Sequence, residues 1–304
     1  MENPESSCKN LLIRADSSSQ IGLGHIMRDI VLAQHYPDAV ITFACRELEG
    51  NIMNRIPYPV HILSSNNPAE LSELIVALNI EMVIFDHYGI DALFEQQIKE
   101  QTGVIVLSLD DTYQPHYCDI LLNHNISADP QRYSGLVPPH CELRCGAEYT
   151  LIRDEFRKEK QMNREKIYDL FVSMGGSDPT NSTSEILKIL SDSLEICVVT
   201  TSANIHLHEL ERYVDGKKNI ALHVDSDQVA KLLHQSHLAI ITPSVMVHEV
   251  LYMDIPFIAI KTASNQDDMV QYLHKSGYRI LETFDPAILS KYTSKIKSEK
   301  KYAV

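Results

Sequence analysis

Two series of short apolar runs, each run separated from the next by an amphipathic stretch, constrain this chain most. In the first half the runs are Leu11–Arg14, Val40–Ala44, Val60–Leu63, Met82–Phe85, Val104–Leu107 and Ile120–Leu122. Between them lie helical patterns at Met27–His35, Glu70–Leu78 and Leu93–Glu100. Neighbouring parallel strands must be joined by a crossover, and the intervening helix supplies it, so the pattern predicts β-α-β units. Residues 125–150 then carry turn signals, including Pro130, Pro138 and Pro139. The charged run RDEFRKEKQMNREK ends at Lys166 and reads as a solvated linker helix or loop. Alternation restarts with Tyr168–Ser173, Ile196–Thr200, Ile220–His223, Leu238–Ile241 and Phe257–Ile260. Helices are expected at Asn181–Leu190, Gln228–Gln235, Met246–Tyr252 and Asp268–Lys275. The fold class expected is α/β: two Rossmann-like domains, 1–150 and 167–304, joined by a linker at 151–166. Their parallel sheets are expected to face a cleft, with ligands at the carboxyl ends of the strands. The lysine-rich tail beyond Pro286 reads as a frayed terminal helix.

Length and charge narrow the function. A chain of 304 residues suits two domains, and a net charge of −14 argues against a nucleic-acid binder. The polar start MENPESSCKN predicts no signal peptide, and no apolar run is long enough to span a bilayer. Six scattered cysteines, with only Cys141 and Cys145 close, read as reduced thiols, so a cytoplasmic protein away from membranes is expected. None of the 14 histidines stands in an H-x3-H pair beside a carboxylate. His206 and His208 are too close to share a helix face, so no metal site is expected.

The segment RADSSSQIGLGHIMRDIVLA joins the first strand to the first helix. Gly22 and Gly24 are expected to permit positive φ and close ligand approach, and the loop delivers His25 to the helix start. There the helix dipole disfavours the imidazolium, which suits a general base. A dinucleotide fingerprint is the competing reading. Met27 stands where its third glycine belongs, and Glu47 is only a fair ribose carboxylate, so no NAD cofactor is expected. The plainer alternative is that His25 and Arg28 decorate a surface helix.

In the second half, Met174-Gly175-Gly176-Ser177-Asp178 follows a strand, and its N–H groups suit a diphosphate at a helix start. An ordinary turn with a helix cap is the alternative. Thr242-Pro243-Ser244 opens the next helix of interest, where the N–H groups of Val245 and Met246 would make a second anion site. Glu249, a turn further on, has two acceptor oxygens fit for ribose hydroxyls, or faces solvent. Asn265 and Gln266 offer amides for sugar hydroxyls and N-acetyl groups, or merely polar loop and cap.

The run Arg14-x-Asp16-x4-Ile21-Gly22-x-Gly24-His25-x2-Arg28 resembles the N-terminal motif of the UDP-sugar hydrolases of pseudaminic acid biosynthesis. The segments FACRELEG (43–50), FDHYGI (85–90), HYCDILLN (116–123), YSGLVP (133–138), RCGAEYTLIRDEF (144–156), SMGGSD (173–178) and SNQ (264–266) resemble that family in the same order. The resemblance implies the two-domain GT-B fold shared with the glycosyltransferase that makes lipid II. It implies a UDP-2,4-diacetamido-2,4,6-trideoxy-β-L-altropyranose substrate, hydrolysed at the anomeric carbon with inversion and without a metal. It further implies His25 as the base that activates water, Glu249 on the ribose, Asn265 near the diphosphate and Tyr88 on the N-domain side of the site. A monomer is expected. Two rival readings are a GT-B transferase passing the sugar to an acceptor and a non-catalytic sugar-nucleotide binding module.

Overall fold

The structure is a computed structural model that describes residues 8–18, 20–22 and 24–293. The chain divides into two compact units, 1–151 and 152–304, each with its own parallel sheet.

Unit 1 contains β1 (Asn10–Ala15), α1 (Gly24–Ala33), β2 (Val40–Arg46), β3 (Val60–Leu63), α2 (Pro68–Ala77), β4 (Met82–Asp86) and α3 (Ala92–Thr102). β5 (Ile105–Leu109), β6 (Ile120–Asn123) and β7 (Glu142–Cys145) complete it. Its seven strands run in the order β3-β2-β1-β4-β5-β6-β7. Central strands of a covered parallel sheet are apolar on both faces, and β1 obeys this. Leu11 and Ile13 enter one core with Ile26, Phe43 and Ile84, while Leu12 enters the opposite core with Leu71, Phe85 and Val106. Two of its helices start where a side chain satisfies their first N–H groups. Asn67 accepts from the Ala69 N–H and Asp91 from the Phe94 N–H, and Gly103 closes α3 in the left-handed region.

Unit 2 opens with α4 (Asp154–Lys160), followed by β8 (Tyr168–Ser173), α5 (Ser182–Ile189), β9 (Ile196–Thr200), α6 (Leu207–Val214) and β10 (Ile220–Val224). α7 (Val229–His234), β11 (Ser236–Ile241), α8 (Val245–Tyr252), β12 (Phe257–Ile260), α9 (Asp267–Lys275), β13 (Arg279–Leu281) and α10 (Pro286–Thr293) follow. The strand order is β10-β9-β8-β11-β12-β13. Both sheets therefore reverse strand order beside their first strand, at β1/β4 and at β8/β11. Crevices for ligands open at such switch points, at the carboxyl ends of the strands.

Four elements differ from expectation. The charged run after Ile152 is not a solvated linker, because α4 packs on α7 and buries Phe156 completely. Its Glu159 binds Arg164 at 2.6 Å and His234 at 3.2 Å. β7 (ELRC) and β13 (RIL) are short edge strands without an apolar run, and α6 buries only Leu210. Periodicity has little to register in such elements. The terminal helix expected beyond Pro286 is α10, which buries Leu289 completely, and the residues after Thr293 lie outside the described residues.

A buried ionic knot ties together the strand ends of unit 1. Arg14 is fully buried and grips Asp16 through two bonds of 2.6 and 3.0 Å. Asp16 also accepts from the Arg46 main chain and Nε, both at 2.8 Å, and meets His87 Nε2 at 3.0 Å. The loops after β1, β2 and β4 thus share one carboxylate. Burial opposes its ionisation, but His87, Arg14 and Arg46 together hold it far below the ordinary carboxylate range. Removing one partner of a buried pair strands the other's charge. Asp16→Ala is expected to destabilise unit 1 by about 3–5 kcal/mol in urea denaturation. Because the folded pKa is depressed, the wild-type contribution is full above the unfolded carboxyl pKa and is lost progressively below it. The difference between variant and wild type should therefore narrow in acid.

Candidate active site

The chain leaves β1 after Ala15 and must reverse direction to start α1. Ser18 and Gly22 pair in an antiparallel bridge, and Ser18 Oγ accepts from the Ile21 N–H at 2.9 Å. Gly22 sits at φ +88°, where a side chain is strained. Gly24 does not need that freedom, contrary to expectation: it is the first residue of α1, and a Cβ there would meet open space.

His25 is the second residue of α1, and its side chain is buried. Its Nδ1 lies 2.7 Å from Asp86 Oδ1 and 3.1 Å from the Asp86 carbonyl oxygen. Asp86 ends β4 directly opposite Ala15 in register, so the switch point of the sheet brings the two residues together. Arg28 donates to the same carboxylate through Nε at 2.6 Å and through a second nitrogen, and to Asp111 Oδ2 at 2.9 Å. Burial opposes ionisation of Asp86, but Arg28 and His25 outweigh it and hold the carboxyl well below its usual range. An ionised Asp86 can only accept. It therefore fixes the proton of a neutral His25 on Nδ1 and leaves Nε2 as the basic nitrogen.

Tyr88 stands edge-on to the His25 ring, with centroids 4.7 Å apart and planes at 86°. Its hydroxyl donates to Asp111 Oδ1 at 3.0 Å, and two-thirds of the residue is exposed. His25, Arg28 and Tyr88 thus share one cluster, whose unforeseen members are Asp86 and Asp111. One signal in the sequence marks Asp86: a carboxylate closing the otherwise apolar run MVIFD. Nothing in the local pattern marks Asp111. Asp16, just past the end of β1, serves the ionic knot.

In unit 2 the two expected anion sites differ. The glycine loop does not open a helix: α5 begins only at Ser182, and Asp178 accepts from the Ser182 and Thr183 N–H groups at 2.9 Å each. That helix start is closed to another anion. The amides of Gly175, Gly176 and Ser177 remain outside it, on a loop with Gly175 at φ +88° and Thr201 Oγ1 donating to the Gly176 carbonyl at 2.9 Å. A Cβ at Gly176 would come within 3.1 Å of that hydroxyl. α8 has the opposite character. Its N-cap Ser244 makes no side-chain cap, pairing instead with Thr242 Oγ1 at 3.0 Å, so the Val245 and Met246 N–H groups stay uncovered.

Glu249 does not face solvent. It is buried and held by Arg153 through bonds of 2.6 and 3.0 Å, while burial pushes its carboxyl above the ordinary range against that partner. Arg153 is thus a partner that sequence reasoning missed. Gln266 is also engaged: its Oε1 accepts from the Thr262 and Ala263 N–H groups at 2.8 and 3.2 Å, so it shapes the loop. Asn265 is exposed beside it. Among the described residues, no group of three or more His, Cys, Asp or Glu side chains is placed to hold a metal ion, and no helix is long and apolar enough to cross a membrane.

No model of a known protein family matches the chain. A single relative decides the assignment. The UDP-2,4-diacetamido-2,4,6-trideoxy-β-L-altropyranose hydrolase of Campylobacter jejuni is 46% identical over 270 residues, covering 89% of this chain and 98% of the relative. The chain belongs to that hydrolase family. Among solved structures, MurG of Acinetobacter baumannii superposes with a TM-score of 0.62 at 12% identity, covering 96% of this chain and 92% of that one. HepE of Anabaena in complex with UDP-glucose gives 0.59 at 10% identity, covering 96% and 90%. At such identities the likeness concerns the fold, which is GT-B, as expected for this hydrolase family.

The two glycines of the first loop should respond oppositely to the same substitution. Gly22→Ala, forced into the left-handed region, is expected to lose about 1–2 kcal/mol in chemical denaturation. Gly24→Ala, in helical backbone with room for the methyl, should be neutral or slightly stabilising.

Proposed function

We propose that this enzyme hydrolyses UDP-2,4-diacetamido-2,4,6-trideoxy-β-L-altropyranose to UDP and 2,4-diacetamido-2,4,6-trideoxy-L-altrose, as a step of pseudaminic acid biosynthesis. The His25–Asp86 pair carries the chemical part of this reading. His25 Nε2 takes a proton from water, and the water oxygen attacks the anomeric carbon. The bond from that carbon to the diphosphate oxygen breaks, and its electron pair leaves with UDP. Attack from the face opposite the leaving group inverts the anomeric centre. Asp86 holds the ring and balances the imidazolium that forms, as a buried carboxylate does for other histidine bases. Tyr88 limits how the ring can turn.

A nucleoside diphosphate leaves as a stable anion, so no acid is needed to protonate it. This separates the reaction from glycosidases with paired carboxylates. The charge that develops on the diphosphate suits the uncovered amides of Gly175, Gly176 and Ser177 and those of Val245 and Met246 at the start of α8. Glu249 keeps a further lone pair on each oxygen beyond those used by Arg153, enough for the two ribose hydroxyls. Asn265 is the free amide of its loop and is assigned to the sugar side of the diphosphate, with Gln266 holding the loop in place. The mechanism uses no metal and no cofactor. A monomer working in the cytoplasm fits this role.

Incubation with the UDP-sugar alone should release UDP and free sugar in equal amounts, at a rate unaffected by a chelator. A requirement for an added acceptor would establish the transferase instead. His25→Asn should lower kcat by about 10²–10⁴-fold with UDP affinity retained, whereas a mere binding module shows no turnover even in wild type. Asp86→Asn should lower kcat by a comparable factor, since it removes the acceptor that sets the tautomer.

A further inference from the structure

The catalytic helix carries a buried ionisable group that the mechanism does not use. Asp29 lies one turn beyond His25 on α1 and is fully buried. Neither of its carboxyl oxygens accepts a hydrogen bond from any described donor. The cation that acts on it is Arg28, but the guanidinium bonds to Asp86 and Asp111. The group standing against Asp29 is the Asp86 carboxylate itself. The buried Cys45 thiol of β2 feels the Asp29 carboxyl, together with Arg14 of β1 and Asp16 just after it. A carboxylate buried without a donor and beside a second carboxylate is about the least favourable place for a negative charge. A carboxylic acid there has a ready acceptor.

We propose that Asp29 is a neutral carboxylic acid that donates its proton to Asp86 and thereby acts as a positioning residue for the catalytic histidine. The helical repeat sets His25, Arg28 and Asp29 on one face of α1, and all three then donate to a single carboxylate. The acid fixes Asp86 in place and draws off part of its charge, which moderates how strongly Asp86 favours the imidazolium form of His25. Burial first, then the Asp86 charge, raises the Asp29 carboxyl well above its usual range, with Arg28 opposing. The inference rests on the reading of His25 and Asp86 as the catalytic pair, but two of its tests need no turnover.

An acid whose folded pKa lies above its unfolded value destabilises the fold once the pH exceeds the unfolded value, because only the unfolded chain readily releases the proton. Asp29→Asn keeps a neutral donor and removes that penalty. Its melting temperature should therefore exceed that of wild type at neutral pH, with the gain vanishing in acid. A lower melting temperature at neutral pH, or failure to fold, would mean an ionised and paired Asp29 and overturns the proposal. Wild-type protein labelled with ¹³C at aspartate carboxyls should show a carboxylic-acid carbonyl band in the infrared at neutral pH, absent from Asp29→Asn. No such band in wild type also overturns it.

The pH–rate profile reads the positioning role. Asp29→Ala, which returns full charge to Asp86, should move the acid limb of kcat/KM to higher pH by about half a unit or more, and Asp29→Asn should restore it. An ionised Asp29 predicts a shift to lower pH in both variants. If Asp86→Asn retained wild-type turnover, the catalytic pair would fall, while melting and infrared would still decide the state of Asp29.

Discussion

The carboxylate of Asp86 is the fixed point of the proposed catalytic unit. It ends a fully buried strand level with the end of β1, and α1 descends from β1 with two bonded side chains, from His25 and Arg28, aimed back at it. The strand registry and the helical repeat together create this convergence. If the order of β1 and β4 were different, the histidine would start a helix with nothing behind it. A histidine ring in that position could turn freely, and either nitrogen could carry the proton. The charge of Asp86 is itself tolerable because Arg28 lies over it, tied in turn to Asp111. Tyr88 shares Asp111 as its acceptor, so the aromatic wall beside His25 and the cation behind it are set by the same two carboxylates.

The second unit has the same kind of topology, but its helix starts are capped differently. Its two switch-point segments look alike in sequence, each a small polar stretch between strand and helix. Their helix starts differ because of Asp178. That side chain occupies the first amides of α5, whereas Ser244 turns to Thr242 and leaves α8 uncapped. A capped helix gains stability and loses its attraction for an anion. An uncapped one accepts lower stability in return for a vacant set of donors. Glu249, one turn further along α8, is buried as a result of the same helix packing against Arg153.

The alternation of runs made most of the architecture legible, because strands buried on both faces are written as unbroken apolar residues. β8, β9 and β12 stand where those runs place them. The elements it concealed are those whose residues meet solvent: β7 and β13 at sheet edges, and α6, which contributes only Leu210 to the core. α4 was misread for the opposite reason, since one buried phenylalanine among thirteen mostly charged or polar neighbours decides its packing. In the site, a glycine-flanked histidine after a first strand is visible in one line of sequence. Its carboxylate partner is sixty-one residues away, and only the pairing of β1 with β4 joins them. Arg153 and Glu249 are ninety-six residues apart and carry no mutual signal. Long-range pairs of this kind are products of topology, which periodicity does not encode.

Charge explains why main-chain donors have so large a part in the proposed reaction. A protein of net charge −14 repels a dianionic substrate at long range, although salt confines that repulsion to about 8–10 Å from each charge. Cationic side chains near the second switch point do not reverse it. Arg153 is shared between Glu249 and Glu155, and Lys261 pairs with Asp267. Each is neutralised before a ligand arrives. Backbone N–H groups suffer no such competition when the helix start is uncapped and the loop is glycine, and they add no charge that a nearby carboxylate could claim. Anion binding through amides therefore leaves the acidic surroundings intact. A histidine base benefits from those surroundings, because a proton taken from water is held beside a carboxylate. The same acidic character would penalise a site built from lysines, so the division of labour follows from the charge of the chain.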